Sequence, residues 1–222
     1  SGLSNSYSGA TLVEAGTLDI TGAVSSSAIE IKAGGTLSGT GLVAAVTVVG
    51  GTVSPGNGNS GTLTCSSLSF DSESKIKMDL GTSGDVVKIN GNLTIDGTLE
   101  GSALSGFTAG NYTLFEYTGT LTDSGMEIGT MPGGFAYSIT TGDGKVLLSV
   151  TPLQNYTWDV SSEEGINAGN GKWGIDNFWT KDGITLEPWP QKNSTATFAG
   201  SDGDWAINIS GIQKVDSLTF LN

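Results

Sequence analysis

The side chains that could do chemistry in this chain are few. It has no histidine and no arginine, and its nine lysines stand against 22 acidic side chains for a net charge of −13. Without histidine, the Ser-His-Asp and Cys-His nucleophile arrangements and His-ligated metal centres are out of reach. Cys65 has no partner for an internal disulfide and no base to activate it. It shares parity with Leu63 and reads as a small buried hydrophobe. Three acidic groups, Glu163-Glu164, Asp202-Gly203-Asp204 and Asp143-Gly144-Lys145, could offer oxygens to a hard cation such as calcium. None fits the twelve-residue EF-hand loop, and a solvated acidic surface with aspartates in turns is the expected reading. A glycosidase-type carboxylate pair depends on spatial separation, and nothing in the sequence singles one out. Gly34-Gly35 and Gly133-Gly134 read as corners, since no Gly-Lys-Ser/Thr follows to make a phosphate cradle. No catalytic, cofactor-binding or metal-binding residue is therefore assigned, and no cofactor is expected.

Tryptophan gives the sharpest local hypothesis. All five tryptophans, Trp158, Trp173, Trp179, Trp189 and Trp205, fall in the last 65 residues. Exposed indole faces stack on sugars and anchor interfaces; buried ones plug irregular interiors. The second reading is expected for Trp158, Trp173 and Trp179. Trp189, between Pro188 and Pro190, belongs to an extended loop and is expected to be exposed, a candidate ligand contact.

The elements that must position these groups are strands. Glycine makes up 35 of 222 residues, about 16% against an average near 7%, and no amphipathic helix is evident. Between residues 1 and 150 the longest glycine-free stretch, 62–80, reads as strand. Within it Ile76, Met78 and Leu80 alternate with Lys75, Lys77 and Asp79. Val87, Ile89, Leu93, Ile95 and Leu99 share one parity, opposite Lys88, Asn90, Asn92, Thr94 and Asp96, so one face is buried and one wet. Shorter alternations at Leu18/Ile20, Ile29/Ile31, Val46/Val48 and Val146/Leu148/Val150 repeat the pattern. Asn90 and Asn92 are candidates for amide ladders at a corner.

A repeat underlies the alternation. Gly-Thr-(Leu/Val) begins at Gly16, Gly35, Gly51, Gly61, Gly97 and Gly119, with successive spacings of 19, 16, 10, 36 and 22 residues. Apart from the 10, these cluster near 20 or twice that, the mark of a solenoid in which Gly turns the corner, Thr opens the strand and the aliphatic residue points inward. A sandwich also places strands every 8–12 residues and stays open as an alternative, above all for the last 65 residues. Composition changes after Thr151-Pro152, so residues 1–152 are assigned to the solenoid and 153–222 to a Trp-rich block that continues it. Strands are expected there at Ser194–Phe198, Trp205–Ile209 and Ser217–Leu221.

Tyr7-Ser8-Gly9-Ala10-Thr11-Leu12-Val13-Glu14-Ala15-Gly16-Thr17-Leu18 resembles the autotransporter-associated β-strand repeat, also called the passenger-associated transport repeat. Gly34–Gly41, Gly51–Asn57, Asp85–Leu99 and Gly110–Phe115 are similar to the segments that follow in such proteins. Thr157-Trp158-Asp159, Gly171-Lys172-Trp173, Asn177-Phe178-Trp179, Ala196-Thr197-Phe198 and Val215–Phe220 resemble the opening of the next block. The resemblance implies an all-β fold, a right-handed parallel β-helix with irregular Trp-rich C-terminal coils, displayed as a stalk outside a Gram-negative bacterium or on its outer-membrane surface. The sequence contains neither a signal peptide nor a membrane-spanning barrel, and it reads as a piece of something longer that does not itself insert into a membrane.

Three functions compete at this point. One is a structural stalk that also helps export by folding coil by coil. Another is an adhesin module that binds glycans or host surface molecules through Trp189 and its loop. The third is a polysaccharide-active β-helix enzyme, left with only Lys or Tyr as a base. An acidic chain without arginine is not expected to bind nucleic acid. Open coil edges at its ends predict end-to-end self-association.

Overall fold

The computed structural model describes residues 4–200 and 205–221, and among these it is all-β, without a helix. The chain forms two compact units: residues 1–133 with 137–150, and residues 134–136 with 151–222.

The strands of the first unit are β1 (Thr11–Val13), β2 (Gly16–Ile20), β3 (Ala23–Val24), β4 (Ile29–Lys32), β5 (Gly35–Gly39), β6 (Leu42–Val49), β7 (Thr52–Pro55), β8 (Thr62–Phe70), β9 (Lys75–Leu80), β10 (Val86–Ile89), β11 (Leu93–Ile95), β12 (Thr98–Ala103), β13 (Gly110–Tyr117), β14 (Leu121–Asp123), β15 (Glu127–Ile128), β16 (Phe135–Gly142) and β17 (Lys145–Pro152). They are divided between two sheets, for the most part in turn, although β3 and β4, β10 and β11, β13 and β14, and β16 and β17 are consecutive strands of the same sheet. One sheet runs β1-β4-β6-β8-β10-β13, with β17 and β16 beyond, and the other runs β15-β12-β9-β7-β5-β2. From β1 to β13 in the first sheet and throughout the second, every adjacent pair is parallel. Successive strands thus leave one sheet, cross to the other and return one rung further on, which is consistent with a β-solenoid.

The register explains why the sequence folds this way. In the second sheet Leu18, Leu37, Val53, Ile76, Leu99 and Ile128 are directly paired, rung upon rung. In the first sheet Val24, Val43, Cys65 and Ile89 form one inward column and Val13, Ile31, Val48 and Phe70 another. Leu37, Val53, Ile76 and Leu99 are fully buried, whereas Ile128, on the last rung of its sheet, is 37% exposed. Within this column the side chains with a rung on both sides are covered, and those on its two end rungs, Leu18 and Ile128, are less so.

Corners are tight enough to demand glycine at specific places. A Cβ on Gly35 would lie 2.3 Å from the Val13 carbonyl oxygen of the preceding coil. At Gly97 the φ of +72° adds a backbone conformation that L side chains avoid, and a Cβ there would meet the Ser74 carbonyl oxygen at 2.2 Å. Polar side chains serve the corners too. The buried Asp85 accepts hydrogen bonds from Gly61 N at 2.7 Å and Asp79 N at 2.8 Å. Asp71 Oδ1 accepts from Gly50 N at 3.0 Å, and Ser74 Oγ donates to Val48 O at 3.0 Å. Asn92 Oδ1 accepts from Thr120 N at 3.0 Å, a single bond between coils where an amide ladder was expected.

The alternation from Val87 to Leu99 is confirmed in burial but divided in space. It is broken by corners into β10, β11 and β12, which lie in two sheets. The expectation of a parallel stack reaching residue 152 is corrected. β17 runs antiparallel to β13, with Gly110 opposite Val150, and β16 follows at its edge. Asp143 and Gly144, with φ of +50° and +71°, make the two-residue turn that joins β16 to β17. Such a turn connects only antiparallel strands.

The second unit holds β18 (Gln154–Trp158), β19 (Gly171–Trp173), β20 (Trp179–Thr180), β21 (Ser194–Phe198), β22 (Ile207–Ile209) and β23 (Ser217–Phe220). They form two sheets, β20-β18-β21-β23 and β19-β22, parallel except for β20. The three expected strands are present here, two of them shorter than expected, Ile207–Ile209 within Trp205–Ile209 and Ser217–Phe220 within Ser217–Leu221.

Two outcomes follow from this packing. Ile76→Ala removes a side chain covered on both sides and is expected to cost about 2–5 kcal/mol, whereas Ile128→Ala is expected to cost under about 1 kcal/mol; urea unfolding of the two variants checks the contrast. Burial pushes the Asp85 carboxyl up to about 6, with the nearby Asp79 charge adding to it against two backbone hydrogen bonds. Its unfolded value lies near 3.9. The folded chain therefore holds the extra proton between these values, and Asp85's contribution to stability grows as pH falls from 7 and is lost as pH rises through 6. Relative to Asp85→Asn, the chain is expected to gain about 2 kcal/mol between pH 7 and 4.5, read from denaturant midpoints at the two pH values.

Candidate functional site

The densest group of chemically distinctive side chains is the aromatic core of the second unit. β18 contributes Tyr156 and Trp158, β19 Trp173, β20 Trp179 and β21 Ala196, and all are buried with Trp189. Ring centroids lie 5.3 Å apart for Trp158–Trp179, 5.0 Å for Trp173–Trp179, 5.2 Å for Trp173–Trp189 and 4.6 Å for Trp179–Trp189. Most of these contacts are edge-to-face or tilted, the arrangements that the ring quadrupoles favour. Trp158, Trp173 and Trp179 thus plug the interior as their places in the sequence predict.

The expected exposure of Trp189 is corrected. Only 6% of the residue is exposed, its Nε1 donates to Lys214 O at 2.8 Å, and Tyr156 meets it edge-on at 5.7 Å. The flanking prolines do fix an extended backbone, but they leave the ring free to turn either way. Burying an indole of about 200 Å² while satisfying its N–H turns it inward. Glu187 exchanges two backbone hydrogen bonds with Trp179, at 2.8 and 3.2 Å, and holds the loop against that core. A ring so covered offers no face for stacking on a sugar. Trp205 is the tryptophan at the surface, 46% exposed.

The indole N–H groups divide into two kinds. Trp158 Nε1 donates to Gly169 O at 3.0 Å, like Trp189 to Lys214. The buried Nε1 atoms of Trp173 and Trp179 have no partner, and neither does Asp159 Oδ2. Asp159 uses its other oxygen to accept from Ser161 N and Asn167 N, each at 3.1 Å.

The acidic candidates are scattered. Asp143 sits in the hairpin turn, and Glu163 and Glu164 are exposed. Asp202 and Asp204 lie outside the described residues. Among the described residues no three carboxylate or thiol groups converge as a metal site would require. Asp182, which sequence reasoning passed over, has the most organised carboxylate. It accepts from Thr185 N at 2.8 Å, Ile184 N at 3.0 Å, and the hydroxyls of Thr180 and Thr185 at 2.9 Å each. Those bonds, the backbone ones first, hold its carboxyl far below the usual range. They also occupy it in shaping its own turn. Burial pushes the Cys65 thiol up to about 12, which suits a packing side chain and not a nucleophile.

One cleft, about 230 Å³, lies in the first unit between Leu80, Thr82, Asp85, Asn111 and Tyr112. Asp85 is its only acidic wall, and both of that carboxylate's oxygens are engaged by Gly61 and Asp79. Six of the nine lysines are likewise engaged, paired with Glu30, Glu100, Glu116 or Glu187 at the surface.

No protein-family profile matches the chain. Over 142 residues it is 35% identical to the adhesin BmaC autotransporter of Brucella suis biovar 1 (strain 1330). The match covers 58% of this chain and 4% of that adhesin, so the chain spans a small fraction of its relative's length. The likeness is thus to a short stretch of an autotransporter adhesin.

The two kinds of indole predict different costs. Trp158→Phe strands the Gly169 carbonyl in a buried site, whereas Trp179→Phe removes an N–H that has no partner. Trp158→Phe is expected to destabilise by about 1–2 kcal/mol more than Trp179→Phe, measured by guanidinium unfolding followed by far-ultraviolet circular dichroism.

Proposed function

We propose that this chain is a length of β-solenoid stalk in the passenger of a Gram-negative autotransporter, displayed beyond the outer membrane, with a structural role and no catalytic one. The observation that carries the reading is the unbroken inward column Leu18–Leu37–Val53–Ile76–Leu99–Ile128, one apolar residue per rung. Each rung completes the burial of the one before it. A chain built this way gains stability as successive rungs are added, which suits a polypeptide that folds as it emerges from a pore. The two most fully hydrogen-bonded carboxylates, Asp85 and Asp182, are engaged in a corner and a turn. With no arginine or histidine in the chain, a lyase or hydrolase would have to work from lysine, tyrosine or carboxylates alone.

The relative's name favours a second reading, an adhesive module that contacts glycans or host surface molecules. Two experiments separate them. Fused ahead of an autotransporter barrel and expressed in a Gram-negative host, the chain is expected to reach the cell surface in a protease-resistant form, and Leu37→Asp with Ile76→Asp is expected to abolish that resistance. Failure of the wild-type chain to reach the surface folded overturns the stalk. On a glycan array the isolated chain is expected to be silent and its tryptophan fluorescence unchanged. Saturable binding with a spectral shift puts the adhesive reading in its place.

A further inference from the structure

We propose that the exposed turn between β7 and β8 is a site of covalent self-modification, at which Asn57 closes on the backbone nitrogen of Gly58 and is converted to aspartate and isoaspartate. The inference stands on this turn alone and does not depend on the stalk reading. The chain carries three Asn-Gly steps, Asn57-Gly58, Asn90-Gly91 and Asn170-Gly171. Glycine is the follower that hinders an asparagine side chain least, because no Cβ stands beside the attacking nitrogen. By sequence the three are equal candidates, and the fold treats them unequally.

Two of the steps are held by neighbouring strands and coils. Asn90 N donates to Cys65 O and Gly91 O accepts from Gly119 N, each at 2.9 Å. A Cβ on Gly91 would stand 2.4 Å from the Ser66 carbonyl oxygen, so that backbone has no room to turn. At Asn170-Gly171 the attacking nitrogen is itself occupied. Gly171 N donates to Ala206 O at 3.2 Å, and Asn170 Oδ1 accepts from Ala206 N at 2.6 Å. Asn57-Gly58 is under no such constraint. Both residues are exposed, beyond the end of β7 at Pro55 and before β8 begins at Thr62. Among the described residues Gly58 N enters no hydrogen bond, and a Cβ on Gly58 would meet nothing within 4 Å. The φ values of +54° at Asn57 and +82° at Gly58 are turn conformations that asparagine and glycine reach readily. Asn57 Nδ2 lies 3.5 Å from Asp19 Oδ2, too long a contact to fix the amide.

The conversion balances with water as its only co-reactant. The Gly58 nitrogen gives its proton to solvent and forms a bond to Asn57 Cγ. The Cγ–Nδ2 bond breaks, Nδ2 takes up a proton and leaves as ammonia, and a five-membered succinimide joins the two residues. Water then adds to one of the two ring carbonyls. Opening at the former side-chain carbonyl gives aspartate. Opening at the main-chain carbonyl gives isoaspartate, with the Cβ of residue 57 carried into the backbone. Either product sets a carboxylate where the Asn57 amide faced Asp19 and leaves the chain one charge more negative than −13. The longer isoaspartyl backbone falls between the last paired residue of β7, Pro55 with Gly39, and the first of β8, Thr62 with Val86, so the ladders are left intact.

Incubation of the whole folded chain at mildly alkaline pH tests the proposal, with isoelectric focusing, peptide mapping and labelling by an isoaspartyl methyltransferase as readouts. One more acidic species is expected to accumulate first, with its change at residue 57 and isoaspartate among its products. Its rate is expected to rise with pH, because attack needs the deprotonated nitrogen, and Asn57→Gln is expected to abolish it. In guanidinium, where the coils are unstacked, the three Asn-Gly steps are expected to convert at comparable rates. Folding is thus expected to slow Asn90 and Asn170 relative to Asn57 by about tenfold or more. Conversion of Asn90 or Asn170 as fast as Asn57 in the folded chain overturns the proposal. So does a folded chain whose Asn57 stays intact over the time in which the unfolded chain converts. A product that contains aspartate and no isoaspartate overturns it too, since direct hydrolysis of the amide would then replace ring closure.

Discussion

A rung of this structure cannot bury its own apolar residues. Leu37 or Ile76 has a side chain directed into the interior and a backbone whose hydrogen-bonding groups point along the stack, so both requirements are met by the rungs above and below. Stability is thus a property of neighbouring pairs, and the ends of a stack are its weak places. Ile128, with a rung on one side only, shows it within one column. The antiparallel hairpin β16–β17 offers a different way to finish a sheet, laying a reversed strand beside β13 and returning the chain by a two-residue turn.

Stacking also sets the chemistry of the corners. Strands one rung apart bring their corners into contact, and a Cβ at Gly35 would strike the Val13 carbonyl. Where the backbone turns away from the ladder its N–H groups still need acceptors. Asp71 serves Gly50, Asp85 serves Gly61 and Asp79, and Asn92 serves Thr120. Each spans between coils or across a corner, so these polar side chains extend the hydrogen bonding of the sheets into the turns. Placing Asp85 in a buried position raises its proton affinity, a cost that the two backbone donors offset in part.

The alternation in the sequence reveals the all-β class and the two-sided strands, because period 2 survives passage round a corner. The tripeptide repeat is less faithful. Leu18, Leu37, Val53 and Leu99 of the Gly-Thr-(Leu/Val) set do share a column, but its fourth rung is Ile76, preceded by lysine. Leu63 and Leu121 belong to the other sheet, paired with Val87 and Leu93, which explains the anomalous spacing of ten residues. True rungs are 19, 16, 23, 23 and 29 residues apart, lengthening as corners grow. Asp85 was legible in principle, since it shares parity with Val87 and Ile89 and so occupies an inward position, the one place in that run where a carboxylate needs explaining. Trp189 was not legible. Proline fixes backbone angles on either side of it, and the direction of the ring is settled by Tyr156, Trp179 and the Lys214 carbonyl, which are remote in sequence or separated by a loop.

The same logic governs the distinctive side chains. Asp85 has both oxygens occupied by backbone N–H groups, Asp182 has its own occupied by backbone N–H groups and threonine hydroxyls, and Cys65 is a rung of a hydrophobic column between Val43 and Ile89. The aromatic groups are spent in the same way: four of five tryptophans face one another inside the second unit, two with no partner for their N–H. That unit has short strands and long loops, and large rings fill by volume what aliphatic columns fill by register in the first. Both solutions commit distinctive side chains to the interior.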